Sequence, residues 1–298
     1  MQHTLRNAIQ SFDIKTWQPN LTSAETQSIA LALEQGAVIH LAELGFALYA
    51  DEQKFYSPSW LNGTRKNISL EDNEVYGATG SPEELAQMAT MIARYSHQAT
   101  QLIHTLFPNY VLYLDKARTS YRPNPVGAVA ARSWKKDDSR LHVDAFPSRP
   151  NNGERILRVF TNVNPQNLPR VWRVGEAFEQ AAQYFIPSIK RLLPGSASLL
   201  QILKITKRKR SEYDHFMLHL HDNMKADLEY QNNAPQQIVS FAPGSTWICF
   251  SDQVLHAAMS GQYLFEQTFH LPIEGQYHPE LSPLHVLEKL QKRQLVKR

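Results

Sequence analysis

Arg140-Leu141-His142-Val143-Asp144 is the stretch on which the reading of the fold turns. Side chains alternate across an extended chain, so residues two apart share a face. His142 and Asp144 therefore point the same way, and Phe146-Pro147 ends the segment sharply. Among twelve histidines, His142 alone has an aspartate two positions on. A histidine and a carboxylate presented together lack one more imidazole to make a two-histidine, one-carboxylate metal face. Such a set fills three adjacent positions of an octahedron around non-haem iron and leaves three for a chelating co-substrate and dioxygen.

The third ligand must come from a strand distant in sequence. His256 qualifies, because Phe241-Ala242-Pro243-Gly244 is a turn and Ser245 to Ser251 a strand-like run leading to it. His270, between Phe269 and Leu271, is its rival. His256 is preferred because a strand end gives dioxygen easier access. His215 and His219, at i and i+4 in the run that continues to His221, would share one helix face. Without Glu at position 216 they lack the metalloprotease pattern, and a polar pocket lining suits them better.

Working outward, Tyr110 to Leu114, Thr119 to Arg122, Arg155 to Val163, Gln237 to Phe241 and Tyr263 to Leu271 read as short strands between Pro, Asn and Gly. Gly175 to Leu193 and Tyr213 to Leu228 read as helices, and Glu288 to Arg298 as a terminal basic helix. The first third reads as largely helical. Thr22 to Glu25 and Ser81-Pro82-Glu83-Glu84 have the spacing of capping boxes, and Gly36 suits a helix end. Leu85, Met88, Ile92, Tyr95, Ala99, Leu102 and Leu106 then recur at helical spacing. The expectation is an α+β jelly roll in one domain over residues 1–298. Its parts are a helical segment 1–109, a core 110–275 with a helical insertion at about 170–232, and a tail 276–298.

Hydrophobic content of 42% and charged content of 20% are those of an ordinary globular protein. The net charge of +3 is concentrated in Lys204 to Arg210 and Lys289 to Arg298, which favours an anionic partner. No aromatic residues interleave with the first run, so nucleic acid is not expected. The single cysteine, Cys249, points to a reducing compartment and excludes a cysteine-rich zinc site. The N-terminus has no apolar signal core, so export is not expected. Ile29 to Ala50 is the most apolar stretch, but Glu34, His40 and Glu43 interrupt it, which argues against a spanning helix.

Iron held this way needs a second chelator, and a 2-oxoglutarate co-substrate also needs a buried cation for its far carboxylate. Arginine suits that role because its planar fork bonds a carboxylate at two points. Arg158 is the first candidate, on one strand face with Ile156 and Phe160, and Arg122 is the rival. Many ketoacid dioxygenases place this arginine about ten positions after the distal histidine, where this chain has Glu266-Gln267-Thr268 and no cation. Ser139 or Thr161 are candidates for an added hydroxyl donor. No phosphate-binding glycine loop and no serine-nucleophile elbow are present.

Several long blocks resemble the Kdo 3-hydroxylase family, Fe(II)/2-oxoglutarate dioxygenases acting on the 3-deoxy-D-manno-oct-2-ulosonic acid (Kdo) of bacterial lipopolysaccharide. They are Ser120 to Pro123, His142 to Pro150, Arg158 to Pro165, Tyr213 to Lys225, Asp252 to Ala257 and Glu266 to Pro272. The resemblance spans roughly residues 110–275. It implies a double-stranded β-helix, iron ligands His142, Asp144 and His256, and use of Fe(II), 2-oxoglutarate and O2. It further implies hydroxylation of Kdo at C3 to D-glycero-D-talo-oct-2-ulosonic acid (Ko) on Kdo-lipid A, in the cytoplasm at the inner-membrane face. Residues 29–50 or the C-terminal helix are the expected membrane contacts. Two alternatives stand beside it: an iron hydroxylase of another substrate, or a non-catalytic module binding anionic glycolipid.

Overall fold

The computed structural model describes residues 8–63, 65–128, 133–190, 192 and 209–296. Most of the basic run 204–210 lies outside these residues, so its expected role has no structural counterpart here. Eleven strands among the described residues form two sheets. In chain order they are β1 (Ile9–Ser11), β2 (Val38–Leu41), β3 (Ile68–Glu71), β4 (Glu74–Tyr76), β5 (Asp115–Arg122), β6 (Arg155–Asn162), β7 (Arg170–Gly175), β8 (Gln236–Phe241), β9 (Thr246–Phe250), β10 (His256–Ser260) and β11 (Leu264–Leu271). The large sheet runs β1-β2-β9-β6-β11-β5-β3-β4 and the small one β10-β7-β8. Two sheets, antiparallel except where β1 runs parallel to β2, make the jelly roll, and alternation along each strand divides two cores.

On β6, Leu157 and Val159 face outward and Phe160 inward; on β9, Ile248 and Phe250 face outward, Trp247 and Cys249 inward. The outward residues pack under Ser23–Glu34 (α1) and Pro82–Leu106 (α2). Both helices begin in full capping boxes, on Thr22 with Glu25 and on Ser81 with Glu84. Gly36, at φ +87°, supplies the left-handed residue after α1. The inward residues, with Trp172, Phe241 and Leu264, fill the space between the sheets. A third cluster joins Phe178–Phe185 (α3), Glu212–Ala226 (α4) and Pro283–Gln291 (α6), with Tyr230 from Leu228–Asn233 (α5).

Several local expectations need correction. The first third is more mixed than expected, because β1 to β4 extend the large sheet around the two helices. Tyr110 to Leu114 is a turn: Tyr113 and Leu114 N–H both bond back to the Tyr110 carbonyl, and Tyr110 is anchored on buried Glu34. β7 occupies the start of the expected helical insertion, with buried Arg170, Trp172 and Val174 alternating against half-exposed Val171 and Arg173. The terminal helix starts earlier, at Pro283, and ends at Gln291 with Lys292 left-handed. Its apolar residues Leu284 and Leu287 are buried, as are Ile29, Leu33, Ile39, Leu41 and Leu44, while Leu31 and Tyr49 of the 29–50 stretch are exposed. No helix among the described residues is long and apolar enough to cross a membrane.

Candidate active site

His142 and His256 lie opposite each other at the mouth of the small sheet. Each backbone N–H donates to the other's carbonyl, at 3.1 and 2.9 Å, which locks the two residues in register. Asp144 N–H donates to the Ser251 carbonyl at 2.8 Å, fixing the carboxylate beside them. One ligand atom from each of the three residues falls within 4.8 Å of the others, and they are the one such metal-ligand cluster among the described residues. His142 Nε2 is 3.8 Å from Asp144 Oδ1.

Both imidazoles are oriented from behind. His142 Nδ1 lies 2.8 Å from the Arg140 carbonyl, and His256 Nδ1 lies 2.8 Å from the Val254 carbonyl. A carbonyl only accepts, so each Nδ1 carries the proton and each Nε2 presents a lone pair to the common centre. Trp172 stacks on the His256 ring at 5.1 Å, and His221 of α4 meets the His142 ring edge-on at 5.3 Å. Burial pushes both imidazoles below their ordinary pKa, so they are neutral. Burial raises the Asp144 carboxyl, but the Arg158 guanidinium beside it, foremost among the groups that lower it, outweighs this and the carboxyl sits well below the usual carboxylate range. Two neutral imidazoles and one carboxylate, deprotonated before any metal arrives, fit iron(II) as a donor set.

Arg158, on the inward face of β6, places one guanidinium nitrogen 3.1 Å from Asp144 Oδ2 and the other 3.1 Å from Glu266 Oε1. Arg122, at the end of β5, reaches Glu266 Oε2 at 2.5 Å. Glu266 lies 266 − 256 = 10 positions past His256, where an arginine was sought and not found. In this chain the acid on β11 draws in two arginines from the neighbouring strands β5 and β6, which pair with β11 on either side. Burial raises the Glu266 carboxyl, but Arg122 and Arg158 overcome this and keep it ionised. A cleft of about 580 Å³ opens on these groups, lined by Arg158, Arg122, Glu266, Ser120, Thr268 and Phe146 among others.

The structure thus gathers His142, Asp144, His256, Arg158 and Arg122 in one region. His270 is outside the ligand cluster, further along β11 opposite Asp115. Thr161 is not a hydroxyl donor to this site: it faces outward and bonds Thr246 and Tyr95 beneath α2. Ser139 donates to Asp137. His215 is tied to the Lys190 carbonyl, and among the α4 histidines His221 meets the ligand ring. Cys249 is buried and burial pushes its thiol up, so it is inert packing. Sequence reasoning missed Trp172, Arg170 and Lys225. Lys225 is 2% exposed, donates to the Lys135 carbonyl at 3.0 Å, and its own carbonyl accepts from Arg140 at 2.7 Å. The alternation of β7 carried the signal for the first two.

The jelly roll and this donor set define a class: non-haem Fe(II)/2-oxoglutarate-dependent dioxygenases. Residues 16–294 match the family model described as 3-deoxy-D-manno-oct-2-ulosonic acid (Kdo) hydroxylase, and the chain belongs to that family. Among solved structures it is similar to the Kdo hydroxylase KdoO in complex with α-ketoglutarate and Fe(III), with 45% identity over 97% of each chain and a TM-score of 0.92. The apo structure of KdoO matches at 46% identity over 97% of each chain, with a TM-score of 0.93. KdoO with succinate and Fe(III) matches at 45% identity over 97% of this chain and 98% of that one, also with a TM-score of 0.93. No curated protein matches.

Proposed function

We propose that this protein hydroxylates C3 of Kdo in Kdo-lipid A to give Ko, using Fe(II), 2-oxoglutarate and O2. The observation that carries the reading is the convergence of His142, Asp144 and His256, backed by Arg158 and Glu266, in a chain of the Kdo hydroxylase family. Iron held by the three ligands would couple oxidative decarboxylation of 2-oxoglutarate, to succinate and CO2, to insertion of one oxygen atom into a substrate C–H bond.

The chain's own groups do the rest. His142 and His256 present Nε2 because Arg140 and Val254 carbonyls hold their Nδ1 protons. Arg158 and Arg122 offer guanidinium forks to the ketoacid's far carboxylate, with Glu266 holding both forks in place. Trp172 and the surrounding apolar core exclude water from the His256 side. Arg158 against Asp144 keeps the carboxylate ionised and aimed.

A lipid-linked sugar has to be met at a membrane surface, in this reading the cytoplasmic face of the inner membrane. The turn Val111-Leu112-Tyr113 supports such a contact: Leu112 is 90% exposed, and Lys116 and Arg118 follow on β5, Arg118 lining the cleft. Apolar tips flanked by cations suit an anionic lipid surface.

The decisive test is anaerobic incubation with Fe(II), 2-oxoglutarate and Kdo-lipid A, followed by admission of oxygen and mass spectrometry of the lipid. The expected result is a gain of one oxygen that requires 2-oxoglutarate. Succinate formed over unchanged lipid would refute the substrate, and no succinate at all would refute the dioxygenase.

A further inference from the structure

Four arginines line the cleft of about 580 Å³: Arg118, Arg122, Arg149 and Arg158. Three of them are already neutralised within the protein. Arg122 and Arg158 share Glu266, Arg158 also reaches Asp144, and Arg118 pairs with Glu71 on β3. Arg149 is exposed and forms no ion pair among the described residues, not even with Asp115 or Glu154, the remaining acids of the cleft. A cation at a cleft wall that the fold leaves uncompensated is open to an anionic ligand, and its planar fork suits a carboxylate.

The segment that carries Arg149 is built as a wall. It starts just past Asp144, and the Arg149 N–H donates to the Phe146 carbonyl at 3.3 Å, closing a turn. Pro147 and Pro150 fix two of its φ angles. The Pro147 carbonyl accepts from Arg210 at 2.9 Å. Beyond Pro150, the N–H groups of Asn151 and Asn152 donate to Asp214 Oδ1 at 2.9 and 3.0 Å, while Asp214 Oδ2 accepts from the Ser211 N–H at 2.8 Å in the cap of α4. Asp214 is 6% exposed, so the segment is anchored on a buried carboxylate. A backbone ordered in advance lowers the cost of binding.

The same wall presents Phe146, 36% exposed, with the guanidinium carbon of Arg158 5.9 Å from its ring centre. His270 of β11 also lines the cleft, and its Nδ1 has no partner. Burial lowers its pKa, so the imidazole is neutral and offers one donor and one acceptor. An aromatic face, an uncompensated guanidinium and a neutral imidazole match the three surfaces of a sugar acid: the C–H face of its ring, its carboxylate and its hydroxyls.

We propose that this wall holds the sugar acid itself, with Arg149 bonding its carboxylate, Phe146 stacking on its ring and His270 bonding a hydroxyl. The assignment deepens the function proposed above and rests on it. The ketoacid stays with Arg158 and Arg122, at the buried end of the same cleft.

The test is steady-state kinetics of the iron-loaded full chain on Kdo-lipid A, with folding of each variant checked by thermal melting. The expected result is that Arg149→Met raises KM for the lipid about tenfold and leaves KM for 2-oxoglutarate within about twofold, with Arg149→Lys falling between. Phe146→Leu and His270→Leu should each raise KM for the lipid by a smaller factor. A second substrate, Kdo-lipid A methyl-esterified at the Kdo carboxylate, identifies the anion. On the ester the Arg149→Met penalty should vanish, because the guanidinium has already lost its partner. A penalty that persists on the ester and vanishes on lipid stripped of its phosphates would place a phosphate at Arg149 and overturn the carboxylate assignment. An unchanged lipid KM in Arg149→Met, or both KM values raised alike, overturns the subsite while wild-type hydroxylation stands. Succinate formed by the wild type over unchanged lipid sinks the substrate reading first, and the sugar-acid assignment with it.

Discussion

Glu266 bonds two arginines that would otherwise repel each other inside the barrel, and in the proposed function this one acid sets where the ketoacid carboxylate is held. Losing its charge while keeping its shape, as in Glu266→Gln, removes a charge-assisted clamp worth about 1.4 kcal/mol, or about tenfold in binding. The expected outcome is a roughly tenfold higher KM for 2-oxoglutarate with bound iron unchanged, read by steady-state kinetics and metal analysis. The same residue contributes to pH dependence. Its folded pKa lies below the ordinary 4.5, so its ion pairs stabilise the fold above that value, and the stabilisation is lost as pH falls through the folded pKa. Between about pH 5 and about pH 3, wild-type melting temperature should therefore fall more steeply than that of Glu266→Gln. For the metal face, His142→Ala, Asp144→Ala and His256→Ala should each abolish turnover and stoichiometric iron binding while the chain still melts cooperatively. An active His256→Ala protein would overturn the ligand assignment.

At the scale of elements, α2 depends on its first turn. Ser81 accepts from Glu84 N–H while Glu84 accepts from Ser81 N–H, so Ser81→Ala removes one half of a reciprocal cap. The expected cost is about 1 kcal/mol in denaturant unfolding, with KM unchanged, because α2 packs on the outer face of the large sheet. The turn before β5 makes the opposite prediction. Leu112 touches solvent over 90% of its surface, so Leu112→Asp should leave stability intact and reduce flotation with anionic vesicles several-fold. Equal flotation of wild type and variant would remove the turn from any membrane role.

For the whole molecule, buried Glu34 joins segments far apart in sequence. Its carboxylate accepts from Tyr110 OH at 2.6 Å, Tyr277 N–H at 2.9 Å and His278 N–H at 2.6 Å. Its carbonyl accepts from Gln253 at 3.1 Å, three positions before His256, where β10 begins. Glu34→Ala would strand these donors, at a cost of about 3 kcal/mol or more. A fall in melting temperature of roughly 6–12 °C, measured by calorimetry on otherwise normal protein, is the expected result.

The sequence by itself determined whatever depends on local spacing. His142 and Asp144 share a face because extended chains alternate; α1 and α2 start at their capping boxes because those donors and acceptors lie three residues apart; the family was legible in long contiguous blocks. What depends on pairing across the sheets was decided only in three dimensions. Glu266 reads as a missing cation along the chain, and only the β5-β11-β6 register shows that it holds two arginines. Thr161 stands on the face of β6 opposite Arg158, as alternation along the chain already implies, and only the fold shows that this face meets α2. Arg170 stands at the start of what reads as a helical insertion; the alternation of β7 marks the face it shares with Trp172, and only strand pairing shows that it borders a cavity with Arg122. Side-chain alternation and capping act over a few residues and are written in the chain; charge compensation inside a barrel is settled between strands, which only the tertiary structure brings together.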